Sequence, residues 1–169
     1  QKAGRGKRSI AGVARFHYEL ERQLCRLQDE LRARTYVPGA YRTFRIHDPK
    51  PRLISAAPYR DRVVHHAVCE LIEPIFDRSF ISDSYACRLG KGTHRAIARA
   101  VGFCRRHAYS LQCDVRKFFP SVDYAVLMGL LERKLKCRDT LALLAVILAS
   151  SPPQEPARFY FAGDDLFTP

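Results

Sequence analysis

The chain has 169 residues, a formal net charge of +12 and 47% hydrophobic residues. A chain of this length can bury about two-thirds of its unfolded surface, which is enough for one hydrophobic core or two small lobes. The basic excess favours a polyanionic partner, with nucleic acid ahead of an anionic membrane surface. The longest apolar run, residues 141–149, is far shorter than the roughly 20 residues that a membrane-spanning helix requires.

The first third of the chain predicts helices around a β-hairpin. Residues 1–14 are basic and are expected to form a flexible arm. An amphipathic helix should follow and end at Pro38-Gly39, because apolar residues recur at intervals of four and three: Phe16, Leu20, Leu24, Leu27 and Leu31. TFRIH and RLIS then alternate as two strands of a hairpin with basic residues around its tip. The next helix is predicted to run from Asp61 to Pro74.

The rest of the chain mixes helices and strands. Thr93 is the predicted N-cap of a helix, and YSLQCD, residues 109–114, alternates as a buried strand would. A leucine-rich helix follows, then a nearly all-apolar helix from Leu141 that should be buried, and a short strand at RFYFA. This order indicates an α+β fold, helix-rich with short antiparallel strands, and a lobe boundary near residue 108.

The cysteines are widely scattered, and no two of them are three residues apart: Cys25, Cys69, Cys87, Cys104, Cys113 and Cys137. This spacing argues against a zinc site and against a disulfide framework. We therefore expect most of them to be small apolar core residues in a reducing, cytoplasmic compartment.

The stretch LQCDVRKFFPSVDY, residues 111–124, places Asp114 at the end of the predicted strand. A carboxylate there can bind a divalent metal, because hard cations prefer oxygen ligands, and the next backbone carbonyl can face the same ion. Phosphoryl transfer uses such ions, with Lys or Arg, to neutralise a triphosphate. A rigid ring at Phe119 could then exclude a 2′-hydroxyl. Taken alone, the pattern is more often a turn cap followed by core phenylalanines.

The same motif does not stand alone. CDVRKFFPSVDY resembles the first catalytic-aspartate motif of reverse transcriptases, especially the bacterial retroelement enzymes of group II introns, retrons and diversity-generating elements. Upstream, KPRLISAAPYRDRVVHHAVCELIEPIFDRSFISDSYACRLGKGTHRAI resembles the finger motifs of that family in the same order. The resemblance covers most of residues 15–169. It implies a right-hand polymerase with fingers at 15–108 and a partial palm at 109–169, which copies an RNA template from a primer with deoxynucleoside triphosphates and Mg²⁺.

The resemblance also implies roles for single residues. Asp114 matches the catalytic metal ligand, and the backbone carbonyl of Val115 matches its partner on the metal. Phe119 matches the position that distinguishes deoxyribose from ribose. Arg52 matches the finger arginine that clamps the incoming nucleotide, and Lys50 is a second candidate for phosphate contact.

A further group is assigned to the template. Arg62 is expected to brace the template or the fold. Tyr85, Arg88 and Gly90 match a segment that in relatives lies against the template strand, and Lys91 is a further basic candidate. On pattern alone, all these cations are equally compatible with a solvated basic surface. His65 and His66 lack ligand-type neighbours at metal-binding spacing, so a structural role is expected for both.

The family's second catalytic signature, an aromatic-x-Asp-Asp pair after a Gly-rich segment, is not convincingly present. FAGDD supplies Asp164 and Asp165, but no Gly-rich segment precedes them and Pro169 follows closely. We expect turn residues there, and a chain that stops before its palm is complete. One carboxylate cannot hold two metals, so the chain alone should be inactive and should self-associate through exposed palm surface. Two alternatives stay open: a non-catalytic RNA-binding module of polymerase-like fold, and a complete small RNA-copying enzyme that uses Asp164 and Asp165.

Overall fold

The computed structural model describes residues 11–47, 51–115 and 118–152. Its helices and strands follow in the order α1 (Ala11–Tyr18), α2 (Leu20–Arg32), β1 (Arg42–His47), β2 (Pro51–Ala56), α3 (Tyr59–Asp77), α4 (Thr93–Cys104), α5 (Phe118–Ser121), α6 (Tyr124–Lys134) and α7 (Arg138–Ala149). This helix-rich architecture with a small antiparallel sheet confirms the α+β class. Within the described ranges, no helix is long and apolar enough to cross a membrane.

The predicted hairpin is present. β1 and β2 pair antiparallel, from Arg42 opposite Ala56 to His47 opposite Pro51. Most side chains on both strands are exposed to solvent. The hairpin is therefore held by its backbone ladder rather than by burial of one face.

The chain divides into two compact units: residues 1–76 with 130–152, and residues 77–129 with 153–169. The buried apolar cluster belongs to the first unit and comprises Val13, Phe16, Leu27, Tyr36, Tyr59, Val64 and Val68. Among the described residues of the second unit, no side chain is buried. The division into fingers and palm at residues 108 and 109 stays a prediction.

The first amphipathic stretch forms two helices, α1 and α2, rather than the one that was expected. α2 ends at Arg32, before Pro38-Gly39, so the predicted end was wrong. The N–H of Arg34 donates to the carbonyl of Leu31 at 3.2 Å, and the N–H of Thr35 donates to Glu30 at 2.9 Å. Together with the left-handed backbone of Arg34, φ 56°, these bonds form a Schellman motif that satisfies the last carbonyls.

Two further helix boundaries differ from expectation. α3 continues through Pro74 to Asp77. A proline in the last turn of a helix removes one hydrogen bond near the end, which the helix tolerates better than a break in its interior. Gly92, not Thr93, is the N-cap of α4. Its φ of 96° lies in a region that side-chain-bearing residues rarely adopt, which explains why glycine stands there.

Residues 109–115 do not form the predicted buried strand. Tyr109 is 94% exposed and Leu111 is 90% exposed. A strand requires a neighbour for its N–H and C=O groups, and in the described ranges the only paired strands are β1 and β2. RFYFA, the other expected strand, lies outside the described residues.

Burial was also overestimated for α7 and for the cysteines. One face of α7 packs on the core through Leu143, Leu144 and Ile147, while Val146 on another face is 41% exposed. All six cysteines are free thiols, as expected, but all are exposed rather than in the core. Apolar composition therefore predicted more burial than the described parts of either unit provide.

Candidate nucleotide and nucleic-acid interface

Arg52 lies on β2 with an exposed side chain. It stands opposite Ile46, and the alternation of the strands places it on the same face as Phe44 and Ile54. In the described part of the chain it forms no ion pair, so its guanidinium is available to an anion. Lys50, the second predicted phosphate contact, lies outside the described residues.

The base of the hairpin is tied to α3 by a buried carboxylate. Asp61 is 1% exposed, and it accepts hydrogen bonds of 2.8 Å from the hydroxyl of Tyr36 and of 2.8 Å from the N–H of Gly39. Gly39 leads directly towards β1, and a Cβ there would lie 3.0 Å from Cγ of Pro58 and 3.3 Å from Oδ2 of Asp61. Glycine is therefore required for this close approach of the backbone to α3.

Arg60 lies next to this carboxylate and links it to two other side chains. Arg60 places Nη1 3.8 Å from Oδ1 of Asp61, pairs with Glu30 through Nη2, and lies 5.3 Å from the centroid of the Tyr36 ring. Burial, followed by the hydrogen bond to Asp61, raises the pKa of Tyr36 well above its usual value. The phenol is therefore a neutral donor at physiological pH, as the bond to Asp61 requires.

Arg62 lies above an aromatic ring inside the first unit. Its guanidinium is 5.4 Å from the centroid of Tyr59, whose hydroxyl shares a 3.0 Å hydrogen bond with Nε2 of His17. Nε of Arg62 is buried and has no hydrogen-bond partner among the described residues. The contact lies within the first unit, and both roles expected for Arg62, bracing the template or the fold, stay predictions.

His65 and His66 differ in environment. Nε2 of His65 is buried without a hydrogen-bond partner among the described residues, whereas His66 is exposed. Burial lowers the pKa of His65, opposed by the charge of Asp61. No set of three metal-ligating side chains is found in residues 11–47, 51–115 and 118–152.

The predicted template segment is an irregular loop between α3 and α4, residues 78–92. Arg88 donates from Nε to the carboxylate of Asp77 at 2.6 Å, and from Nη1 to the carbonyl of Ile81 at 2.9 Å and of Ser84 at 3.3 Å. Its Nη2 donates to the carbonyl of Asp77 at 3.3 Å, and its guanidinium lies 5.5 Å from the centroid of Phe80. Arg88 thus holds the loop together from within.

Tyr85 and Lys91 come together in the same loop. Nζ of Lys91 lies 5.0 Å from the centroid of the Tyr85 ring and donates to the carbonyl of Ser82. The Tyr85 hydroxyl donates to Oδ1 of Asp83 at 3.0 Å. Gly90 has a φ of 71°, so the turn between Arg88 and Lys91 requires a residue that accepts a left-handed backbone.

The catalytic candidates of the second unit lie at the surface. Asp114 is exposed and forms no ion pair with another described residue. Val115 is 63% exposed, and Phe119 is 82% exposed with its ring 5.4 Å from that of Phe118 in an edge-on arrangement. The carboxylate and the adjacent carbonyl are accessible oxygen donors of the kind that Mg²⁺ prefers. A magnesium ion takes roughly six ligands, so these two oxygens could supply only part of its coordination shell.

No role in the site was predicted from the sequence for Asp61, Asp77 or Asp83. Each pairs with a group that is distant along the chain, so no local pattern marks it. Asp123 was also missed, although Ser-Val-Asp-Tyr before an apolar helix is a typical N-cap signal. Its Oδ1 accepts hydrogen bonds from the N–H of Ala125 at 2.7 Å and of Val126 at 3.0 Å.

Comparison with known proteins gives two partial similarities, and no family model matches the chain. The chain is 30% identical over 86 residues to nuclear intron maturase 1, mitochondrial, of Arabidopsis thaliana, which covers 51% of this chain and 12% of the plant protein. It is 30% identical over 128 residues to protein YkfC of Escherichia coli strain K12, which covers 70% of this chain and 33% of that protein. The chain therefore spans a third or less of these curated relatives. The similarity to a maturase supports a distant relationship to the retroelement proteins that the motifs resemble.

Proposed function

We propose that the chain is the fingers and the first part of the palm of an RNA-directed DNA polymerase of the bacterial retroelement type. The observation that carries the proposal is the ordered set of finger and aspartate motifs in a chain that shares 30% identity with an intron maturase over 86 residues. Introns are RNA, and the net charge of +12 suits an RNA template and primer. Deoxynucleoside triphosphates are the proposed second substrate.

The proposed roles follow the exposed side chains. Asp114 and the carbonyl of Val115 would hold Mg²⁺, which when bound neutralises charge on the triphosphate during transfer. Arg52 would clamp the phosphates of the incoming nucleotide, and its exposed position on the hairpin leaves it free to do so. Phe119 would exclude the 2′-hydroxyl of a ribonucleotide with its exposed ring.

Primer extension on an RNA template with deoxynucleotides and Mg²⁺ tests the proposal. The chain is compared with a form extended beyond Pro169, and each is made with Asp114→Asn. Asp139→Asn is the matched control, because that carboxylate is also exposed. We expect synthesis by the extended form, its loss with Asp114→Asn and its retention with Asp139→Asn.

Other outcomes separate the alternatives. Synthesis by the 169-residue chain alone would make Asp164 and Asp165 the missing metal ligands. Tight RNA binding by both forms without synthesis would favour a non-catalytic RNA-binding module. Retained synthesis with Asp114→Asn would contradict the role proposed for that carboxylate.

Two properties of the chain are proposed alongside its activity. Self-association through the palm is supported by exposed apolar side chains in the predicted palm, among them Leu111, Val115 and Val126. Light scattering that shows a monomer at all concentrations would contradict it. A reducing, cytoplasmic compartment is supported by the six free thiols.

A further inference from the structure

The cations around the loop of residues 78–92 fall into two classes by partner. Arg88 and Arg99 are paired with carboxylates: Arg88 with Asp77 at 2.6 Å, and Arg99 with both oxygens of Asp83 at 2.8 and 3.1 Å. Arg99 also lies 4.3 Å from the centroid of the Phe103 ring. The positive charge of these two arginines is therefore balanced by one carboxylate at the end of α3 and one within the loop.

Lys91 and Arg95 are the second class. Lys91 donates to the carbonyl of Ser82, and Arg95 donates to the carbonyl of Gly90. A neutral carbonyl orients a cation without cancelling its charge. Among the described residues neither side chain forms an ion pair. No described carboxylate contacts either cation directly, although the charge of Lys91 helps to lower the pKa of Asp77 and of Asp83. Both cations can therefore still be neutralised by a phosphate.

Two backbone hydrogen bonds hold the turn that carries Lys91. The N–H of Lys91 donates to the carbonyl of Arg88 at 3.2 Å, and the N–H of Gly92 donates to that of Tyr85 at 3.4 Å. Leu89, at the tip of the turn, is fully exposed. Leu89 is thus an exposed apolar residue two positions before Lys91 in the same turn.

We propose that Lys91 and Arg95 contact the backbone phosphates of a single-stranded RNA, and that Arg88 is a positioning residue that holds the loop in the shape these contacts need. This inference rests on the proposed function, because it names the phosphate contacts within the template segment. It reverses the expectation for Arg88, whose donors are used inside the loop, and it adds Arg95.

The substitution Asp77→Asn distinguishes two possible roles of Arg88, direct contact with RNA and positioning of the loop. The hydrogen bond from Arg88 holds the pKa of Asp77 below its usual value, so the carboxylate is charged at neutral pH. Asp77→Asn weakens this bond and raises the net charge of the chain by one. If Arg88 touched RNA directly, freeing it would strengthen RNA binding. If Arg88 positions the loop, the same change loosens the loop and weakens binding.

The test is the affinity of the chain for a single-stranded RNA oligonucleotide, measured by fluorescence anisotropy across a series of salt concentrations. The variants are Lys91→Gln, Arg95→Gln, Arg88→Lys and Asp77→Asn, with charge-conserving Lys91→Arg as the rescue. Asp29→Asn is the control for a general charge effect, because Asp29 is exposed on α2 in the other unit. Hydrogen exchange at the amides of Lys91 and Gly92 reports on the order of the loop.

We expect Lys91→Gln and Arg95→Gln each to make the slope of log affinity against log salt shallower by about 0.7, the value for one phosphate contact on a single strand. Lys91→Arg should keep the slope. Arg88→Lys, which keeps the charge but cannot keep four hydrogen bonds, should weaken binding and accelerate exchange at both amides. Asp77→Asn should also weaken RNA binding and accelerate exchange at both amides, while Asp29→Asn should bind RNA slightly more tightly.

Failure of the inference and failure of the proposed function give different results. No RNA binding by the wild-type chain would overturn both. Two results would overturn the inference but not the proposed function. The first is RNA binding by the wild type with unchanged salt slopes in Lys91→Gln and Arg95→Gln. The second is tighter RNA binding by Asp77→Asn than by Asp29→Asn.

Discussion

The hydroxyl of Tyr36 donates a 2.8 Å hydrogen bond to the carboxylate of Asp61, which is 1% exposed. The second oxygen of that carboxylate accepts the N–H of Gly39 at 2.8 Å. One side chain on α3 thus fixes the segment that leads into β1. The position of the exposed Arg52 on this hairpin depends on a buried group in another element.

Loss of this carboxylate should destabilise the chain strongly. Asp61→Ala leaves a buried hydroxyl and a half-buried N–H without partners, so we expect a loss of about 2–5 kcal/mol in the free energy of unfolding. Tyr36→Phe removes one bond to a charged group and should cost about 1.5–3 kcal/mol. Urea denaturation followed by circular dichroism measures both. Asp29→Ala, an exposed control, should stay within about 0.5 kcal/mol, and an equal loss in that variant would contradict the assignment.

Acid should destabilise the fold partly through His65. Burial lowers its pKa in the folded state, so the unfolded chain binds the proton more readily. The contribution of neutral His65 is present above the ordinary pKa of about 6.5 and is lost as the pH falls from there towards the lowered value. Denaturation at a series of pH values should show a smaller decline for His65→Gln than for the wild type. His94→Gln is the exposed control, because His94 is not among the groups that shift the pKa of His65, and its stability should decline with acid as that of the wild type does.

The left-handed residue after α2 should prefer glycine. Arg34 has φ 56° at the position where a Schellman motif usually has glycine, so Arg34→Gly should stabilise the chain by up to about 1 kcal/mol. The change also removes the Arg34–Asp139 ion pair of 2.6 Å, but both side chains are more than two-thirds exposed and such pairs contribute little. Asp139→Asn removes the pair alone and should change the thermal midpoint by only a few degrees at most. If Arg34→Gly destabilises the chain more than Asp139→Asn does, the left-handed backbone at Arg34 is not strained.

The two faces of the hairpin supply a matched pair of arginines. Arg52 lies opposite Ile46, and Arg45 lies opposite Leu53 on the other face. In an extended form that synthesises DNA, Arg52→Ala should lower the efficiency of nucleotide incorporation about tenfold or more, because a charge-assisted phosphate contact is lost. Arg45→Ala should leave it nearly unchanged. Both residues are exposed, so the thermal midpoint should hardly move in either variant, and equal losses of efficiency would contradict a specific clamp.

Much of the secondary structure could be predicted from residues that are close together in the sequence. The β-hairpin, the helices that follow it and the α+β class could be predicted from apolar periodicity, because neighbours three, four or two residues apart decide which face of an element is apolar. The ordered motifs pointed to a polymerase relative for the same reason: each is a short run of residues.

The internal bonds of the candidate site could not be predicted in this way. Arg88 reaches Asp77 across 11 residues and Tyr36 reaches Asp61 across 25, so both pairs depend on the path of the chain between them. The strand expected at residues 109–114 failed because alternation shows only that a segment could lie in a sheet, whereas pairing needs a second strand.

The sequence by itself determined roughly where most of the helices and the hairpin lie and which charged residues the chain contains. Only the tertiary structure decided which of those charges are balanced by carboxylates and which stay available to a phosphate. The reason is physical: periodicity depends on bonds between near neighbours, but the effect of a charge depends on every group that folding brings within a few ångströms of it.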